Sequence, residues 1–411
     1  MTAYQSIKVN LLYHRLHIDM THTAGLYRRR AVVAEEDADT VLRLRNAGAI
    51  PLALTNVPEL CMWWESFNTI YGRTSNPYNI NHTVGGSSGG EGCNQAACGG
   101  AFGIGSDFGG SIRMPAFFCG VFGHKPSKGI ISNKGQYPYP ASEIQQNMLG
   151  IGPLCRRAED LLPIMKILVN KDVLPELKLD ETVDIRNLRF CYQETDMGSI
   201  LISPVNQEIR ELFNKVNLYL EKTHKIKAHK IQIRRFRIST ILWLTNTKSN
   251  GPTLEQQLAN LDGAINLPLE LLKWCVGLSR HTLIALLTAS LARLSPDPES
   301  ATSVYMEQQR NVLRNKMSDL LGNDGVFLYP THPTAAPYHN EPLIKPFDFG
   351  YSGIINVLGF PATHCPMGLN SDGLPIGLQV VANTKNDRLC FAVAREIEKA
   401  FGGWVPPATE A

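Results

Sequence analysis

Two blocks, Gly85-Gly86-Ser87-Ser88-Gly89-Gly90-Glu91-Gly92 and Asp107-Phe108-Gly109-Gly110-Ser111-Ile112-Arg113, decide the fold and the chemistry of this 411-residue chain. Glycine dominates from Val84 to Gly123. A flexible Gly/Ser linker would be polar throughout, whereas these glycines alternate with Ala, Ile, Phe, Cys and Met. Glycine among residue types that bury predicts closely packed backbones, with φ > 0 turns between short elements. Small neighbours let a substrate carbonyl approach a serine oxygen, and successive N–H groups of a glycine turn can point at one developing oxyanion. Ser111 is therefore the candidate nucleophile of an acyl transfer. Phe108, Gly109, Gly110 and the Ser111 amide are its candidate oxyanion hole. Asp107 and Arg113 bracket the loop with opposite charges, whose pairing would hold the turn in a structural role.

Rival readings of the glycines fit less well. A phosphate-binding loop needs a lysine after the glycines, and none follows. A dinucleotide fingerprint needs GxGxxG, and Gly103-Ile104-Gly105-Ser106-Asp107-Phe108-Gly109 is one residue too long. The first block does satisfy GxSxG, at Ser87 and again at Ser88, so a nucleophile elbow has to be weighed. An elbow follows a buried strand, but Asn76 to His82 is polar and turn-like. His82 lies upstream, and His124, His332, His339 and His364 stand in no telling context for a triad.

Outward from this core the pattern alternates between α and β. Glu35 to Arg45 reads as a helix and Ile50 to Thr55 as a short buried strand. Downstream, Arg157 to Val169 and Ile209 to Leu220 carry helical apolar stripes. Leu188–Tyr192, Val326–Tyr329 and Leu374–Val381 read as strands, and Asp387–Phe401 as a closing helix. With no internal repeat and no linker, the expectation is an α/β fold: one large domain around a mixed sheet flanked by helices.

Composition narrows the function classes. The chain is 44% hydrophobic and 19% charged, which suits a packed globular protein. A net charge of +3 calls for no nucleic acid partner. The nine cysteines show no CxxC pair and no Cys/His cluster with zinc spacing, so reduced thiols on the cytosolic side are expected and no metal. Met1 to Val9 lacks the apolar core of a signal peptide. No apolar run reaches the roughly 18–20 residues of a membrane span.

The two serine blocks resemble the amidase signature, and the likeness is closest to the type-2 fatty-acid amide hydrolases. Glu59-Leu60-Cys61-Met62-Trp63, Gly123-His124-Lys125-Pro126-Ser127, Asp324–Pro330, Gly373–Val381 and Phe401-Gly402-Gly403-Trp404 also look like that group. The resemblance runs from about Thr23 to the C-terminus, with a signature core near 51–135. It implies an amidase-signature fold and a Ser–Ser–Lys triad: Ser111 as nucleophile, Ser87 as the bridging serine on a cis peptide, and Ser88 as an accessory hydroxyl. A neutral buried lysine would take the Ser111 proton through Ser87. No cofactor is implied.

The lysine is where the likeness breaks. Counting back from Thr23-Ala24-Gly25-Leu26, it would fall at about Leu12, and Lys8 reaches the role only with a four-residue insertion. Two readings stay open. Either Lys8 is the base, or residues 1–22 are atypical, truncated or misspliced and Lys8 is solvated. Pro268 to Leu294 is helical and unusually apolar, interrupted by Lys273, Arg280 and His281, and the likeness implies a helical cap that dips into one leaflet. A plain buried helix pair is the alternative. The basic stretch Lys222 to Arg237 reads as a solvated strand and loop, with contact to an anionic surface as the alternative. The expectation is hydrolysis of fatty-acid amides at an intracellular or cytosolic-side membrane surface, with homodimers by analogy. An amidase for small soluble amides and an inactive lipid-amide-binding paralogue are the alternatives.

Overall fold

The computed structural model describes residues 20–248 and 250–408, together with the backbone of residues 8–10. Ten strands form one mixed sheet: β1 (Lys8–Asn10), β2 (Ile50–Pro51), β3 (Phe102–Asp107), β4 (Phe122–Lys125), β5 (Gly150–Cys155), β6 (Arg189–Tyr192), β7 (His229–Lys230), β8 (Gly325–Tyr329), β9 (Ala362–Leu369) and β10 (Pro375–Ala382). Their spatial order is β7-β6-β8-β10-β9-β4-β5-β3-β1-β2. The two ends are parallel, β2-β1-β3 on one side and β7-β6-β8 on the other, and the strands between pair antiparallel.

The central strands read as near-continuous apolar runs because both faces are covered. Every residue of β8 and β10 is buried. The helices include α1 (Asp39–Asn46), α2 (Gly89–Ala96), α3 (Arg113–Phe118), α4 (Leu161–Leu168), α5 (Gln207–Tyr219), α6 (Ser239–Thr247), α7 (Leu267–Cys275), α8 (Leu283–Leu294), α9 (Gly350–Leu358) and α10 (Asp387–Phe401). A second apolar cluster, around Leu26, Leu60, Leu258, Leu267 and Leu286, ties α7 and α8 to the rest.

The strongly periodic elements fall where the sequence puts them, and three stretches differ. Asn76 to His82, read as turn-like, instead carries most of a strand at Asn79–Thr83 that pairs antiparallel with Ser75–Asn76. Ile50 to Thr55 is not a buried strand. Only Ile50 and Pro51 pair, Ile50 and Leu52 are exposed, and by Asn56 the chain is bonded to Gly90 instead. Pro51 offers the ladder no N–H, which helps to end it there. Conversely, Phe102–Asp107 is a strand buried at every position, although its glycines read as turns. Those glycines make room for packing: a Cβ on Gly103 would lie 1.8 Å from Glu91 Oε1, and one on Gly105 2.6 Å from Ile112 Cγ1.

Candidate active site

Strand β3 ends at Asp107, and the chain then turns through Phe108, Gly109 and Gly110 to Ser111 before α3 begins at Arg113. Asp107 organises this turn. Its carboxylate accepts the amides of Gly110 at 2.7 Å, Ile112 at 3.1 Å and Arg113 at 3.3 Å. It also pairs with the Arg113 guanidinium, whose Nε and Nη2 both lie 3.0 Å from its oxygens. Burial alone would push the Asp107 pKa up. The Arg113 charge and its hydrogen bonds outweigh that and hold the carboxyl down at about 2.

Arg113 is buried too, and its remaining donors are matched. Nη1 donates to Gln379 Oε1 at 2.7 Å, and Nη2 to Asn356 Oδ1 at 2.6 Å and the Ser352 carbonyl at 3.0 Å. Asn356 in turn donates to the Asp107 carbonyl and to the Met148 carbonyl. The turn is thus lashed to α9 and β10. The Gly110 backbone has φ +120°, a region open to glycine, and a Cβ there would meet Ser352 Cβ at 2.6 Å.

The second serine turn abuts the first. The Ser88 amide donates to the Ser111 carbonyl at 3.1 Å. The Ser88 hydroxyl donates to the Ser106 carbonyl at 3.4 Å, and Ser66 Oγ donates to the Gly85 carbonyl at 2.9 Å. The Gly86–Ser87 peptide is cis. Ser87 and Ser88 are buried, whereas Ser111 is half-exposed at the mouth of this arrangement. Glu91, in the first turn of α2, is pushed up to about 7 by burial, against hydrogen bonds from Gln95 and Thr55.

The sequence-predicted residues Ser87, Ser88, Asp107, Phe108, Gly109, Gly110, Ser111 and Arg113 all come together here. The Gly110 N–H donates to Asp107 Oδ1. Three fully buried histidines are engaged elsewhere: His124 with Asp387 and Thr363, His364 with Thr331, His332 with Thr334. Lys8 begins β1, with its neighbour Val9 opposite Phe102 of β3. Its side chain, and Leu12 entirely, lie outside the described residues, as does most of segment 1–22.

Sequence reasoning missed Asn356, Gln379, Ser352 and also Trp243, whose indole N–H donates to the Phe108 carbonyl. Gln379 did leave a signal, one polar residue inside the apolar run Ile376–Val381. Trp243, in an ordinary helix, left none.

Residues 16–391 match the amidase family. The chain belongs to that family. It is therefore a hydrolase acting on amide bonds. It is 46% identical over 396 residues to fatty-acid amide hydrolase 2 of Homo sapiens, covering 94% of this chain and 74% of that protein. It is 44% identical over 393 residues to fatty-acid amide hydrolase 2-B of Danio rerio, with the same coverage. Among solved structures, a 6-aminohexanoate cyclic dimer hydrolase complexed with substrate superposes with a TM-score of 0.79 at 20% identity, covering 98% of this chain and 86% of that one. A fatty acid amide hydrolase superposes with a TM-score of 0.71 at 22% identity, covering 98% and 74%. These likenesses establish the amidase-signature fold.

Proposed function

We propose that this amidase hydrolyses fatty-acid amides to free fatty acid and amine through an acyl-enzyme on Ser111. The contact between the two serine turns carries the reading: it sets the half-exposed Ser111 beside the buried Ser87-Ser88 pair. Ser111 Oγ attacks the amide carbonyl, and its proton passes through Ser87 toward a base. That proton then protonates the leaving nitrogen, the C–N bond breaks, and water releases the acid from the acyl-serine. Lys8 is the base the sequence offers. The amides of Phe108, Gly109 and Ser111 are the donors for the developing oxyanion, and Asp107 and Arg113 hold the turn without touching substrate.

The exposed cap favours a lipid substrate over a small soluble amide. A cleft between the signature core and the cap mixes apolar Met62, Trp63 and Ile284 with charged Glu59, Glu65 and Arg73. The Trp63 backbone carbonyl packs against Gly86, where a Cβ would meet it at 2.5 Å. The cap helices α7 and α8 and the loop between them leave apolar side chains uncovered, with Leu272 67%, Leu278 71% and Leu294 80% exposed. Such a face, flanked by Lys273, Arg280 and Arg293, suits a membrane interface. Among the described residues no helix is long and apolar enough to cross a membrane.

A chain-length series of primary amides, from acetamide to oleamide, tests the assignment in the parent and in Ser111→Ala. The expected kcat/KM rises with chain length in the parent and is abolished in the variant. A preference for the shortest amides would favour the soluble-amide reading. A folded parent inert toward the whole series would favour the inactive paralogue.

A further inference from the structure

We propose that Trp243, on α6, is a positioning residue that aims the oxyanion hole. This assignment rests on the Ser111 reading above.

The indole Nε1–H donates to the Phe108 carbonyl at 2.9 Å. A trans peptide carries its N–H opposite its C=O. Fixing the Phe108 carbonyl on the indole therefore fixes the Gly109 N–H on the far side of the same peptide plane. The two following peptides are fixed in other ways. The Gly110 N–H is held by Asp107 Oδ1, and the Gly110 carbonyl accepts the Met114 amide at 2.7 Å. The second bond orients the Ser111 N–H by the same geometry. Within the turn, Trp243 is thus the side chain that sets the Gly109 donor, while Asp107 and the first turn of α3 set the rest.

The indole itself has little freedom. Its ring stands edge-on to Phe108 at 5.7 Å and to Phe349 at 4.8 Å. Two glycines admit it: a Cβ on Gly109 would lie 2.9 Å from Nε1, and one on Gly353 3.3 Å from Cδ1. The ring is wedged between the glycine turn and α9, the helix that also holds Arg113 through Asn356 and Ser352. It remains half-exposed. A donor held at rest in this way needs no reorganisation when the carbonyl oxygen gains charge, which is the condition under which such donors accelerate acyl transfer.

The test compares Trp243→Phe, and the isostere with 3-benzothienylalanine at position 243, with the parent chain. Both replacements keep an aromatic wedge and remove the N–H; the isostere keeps the bicyclic shape should phenylalanine disturb folding. Ser111→Ala is run beside them. The readouts are kcat and KM for oleamide and the rate of fluorophosphonate labelling at Ser111, which also builds an oxyanion. Expected is a fall of about ten- to a hundred-fold in kcat with KM nearly unchanged, and a parallel slowing of labelling, since loss of an oxyanion donor costs up to about a thousand-fold. Parental kcat in the isostere, or a loss confined to KM, overturns the role of Trp243 while Ser111→Ala stays inert. Turnover surviving in Ser111→Ala, or a parent that neither turns over nor labels, overturns the Ser111 reading and this assignment with it.

Discussion

Asp107 accepts the Gly110 amide at 2.7 Å and the Arg113 Nε at 3.0 Å, so one buried carboxylate holds both ends of the turn that carries Ser111. An amide at position 107 would face the Arg113 donors with a donor of its own. Asp107→Asn would also leave a buried guanidinium without its counter-charge. The expected cost is about 3–5 kcal/mol, seen as a lowered denaturation midpoint, together with loss of fluorophosphonate labelling. A variant as stable as the parent would contradict the clamp.

Gly110 sits at φ +120° with Ser352 Cβ 2.6 Å from where a methyl group would stand. Gly110→Ala therefore strains the backbone by about 1–3 kcal/mol and displaces either the turn or α9. The labelling rate at Ser111 is expected to fall at least about ten-fold, because the donors move with the turn. Circular dichroism and labelling of the same sample separate misfolding from misplacement.

Glu91 gives a pH signature. Burial raises its pKa from a reference of 4.5 to about 7 in the folded state, while hydrogen bonds from Gln95 and Thr55 pull it back only in part. The folded state therefore binds the proton more tightly than the unfolded one. Its contribution to stability is full below pH 4.5 and is lost as pH rises through about 7, on the order of 3 kcal/mol in all. Glu91→Gln keeps an acceptor for Gln95 and a polar partner for Thr55 without the titration. The difference in unfolding free energy between parent and variant should thus drift in favour of Glu91→Gln across that window. A flat difference would mean that Glu91 titrates normally.

What the sequence made legible follows from how local each signal is. The closing helix Asp387–Phe401 carries a long apolar stripe and lies where its period puts it, and Leu374–Val381 is off by one residue at each end. The serine turns were legible because glycine, serine and a bracketing Asp107/Arg113 pair lie within a few positions of one another. The partners that fix the turn were not. Ser352, Asn356 and Gln379 reach Arg113 from more than 230 positions away, a distance only the sheet order bridges. Strand Phe102–Asp107 was obscured because its glycines exist to admit Glu91 and Ile112, contacts no local period records.

The exposed face of the cap gives a prediction about surfaces. Replacing Leu272 and Leu278 together by Glu puts two charges on positions 67% and 71% exposed, so the fold should tolerate them. Sedimentation with anionic phospholipid vesicles should fall, and KM for vesicle-borne oleamide should rise. Hydrolysis of a short soluble amide should stay within about two-fold. Unchanged sedimentation would remove the cap from membrane contact.

The central claim is a covalent acyl-enzyme on Ser111, and acid quenching of the protein during oleamide turnover tests it most directly. Mass spectrometry of the peptide spanning the glycine turn should show an oleoyl ester on Ser111 that is absent from Ser111→Ala and disappears once substrate is exhausted. Turnover that proceeds in Ser111→Ala, with no adduct on the parent peptide, would contradict the account.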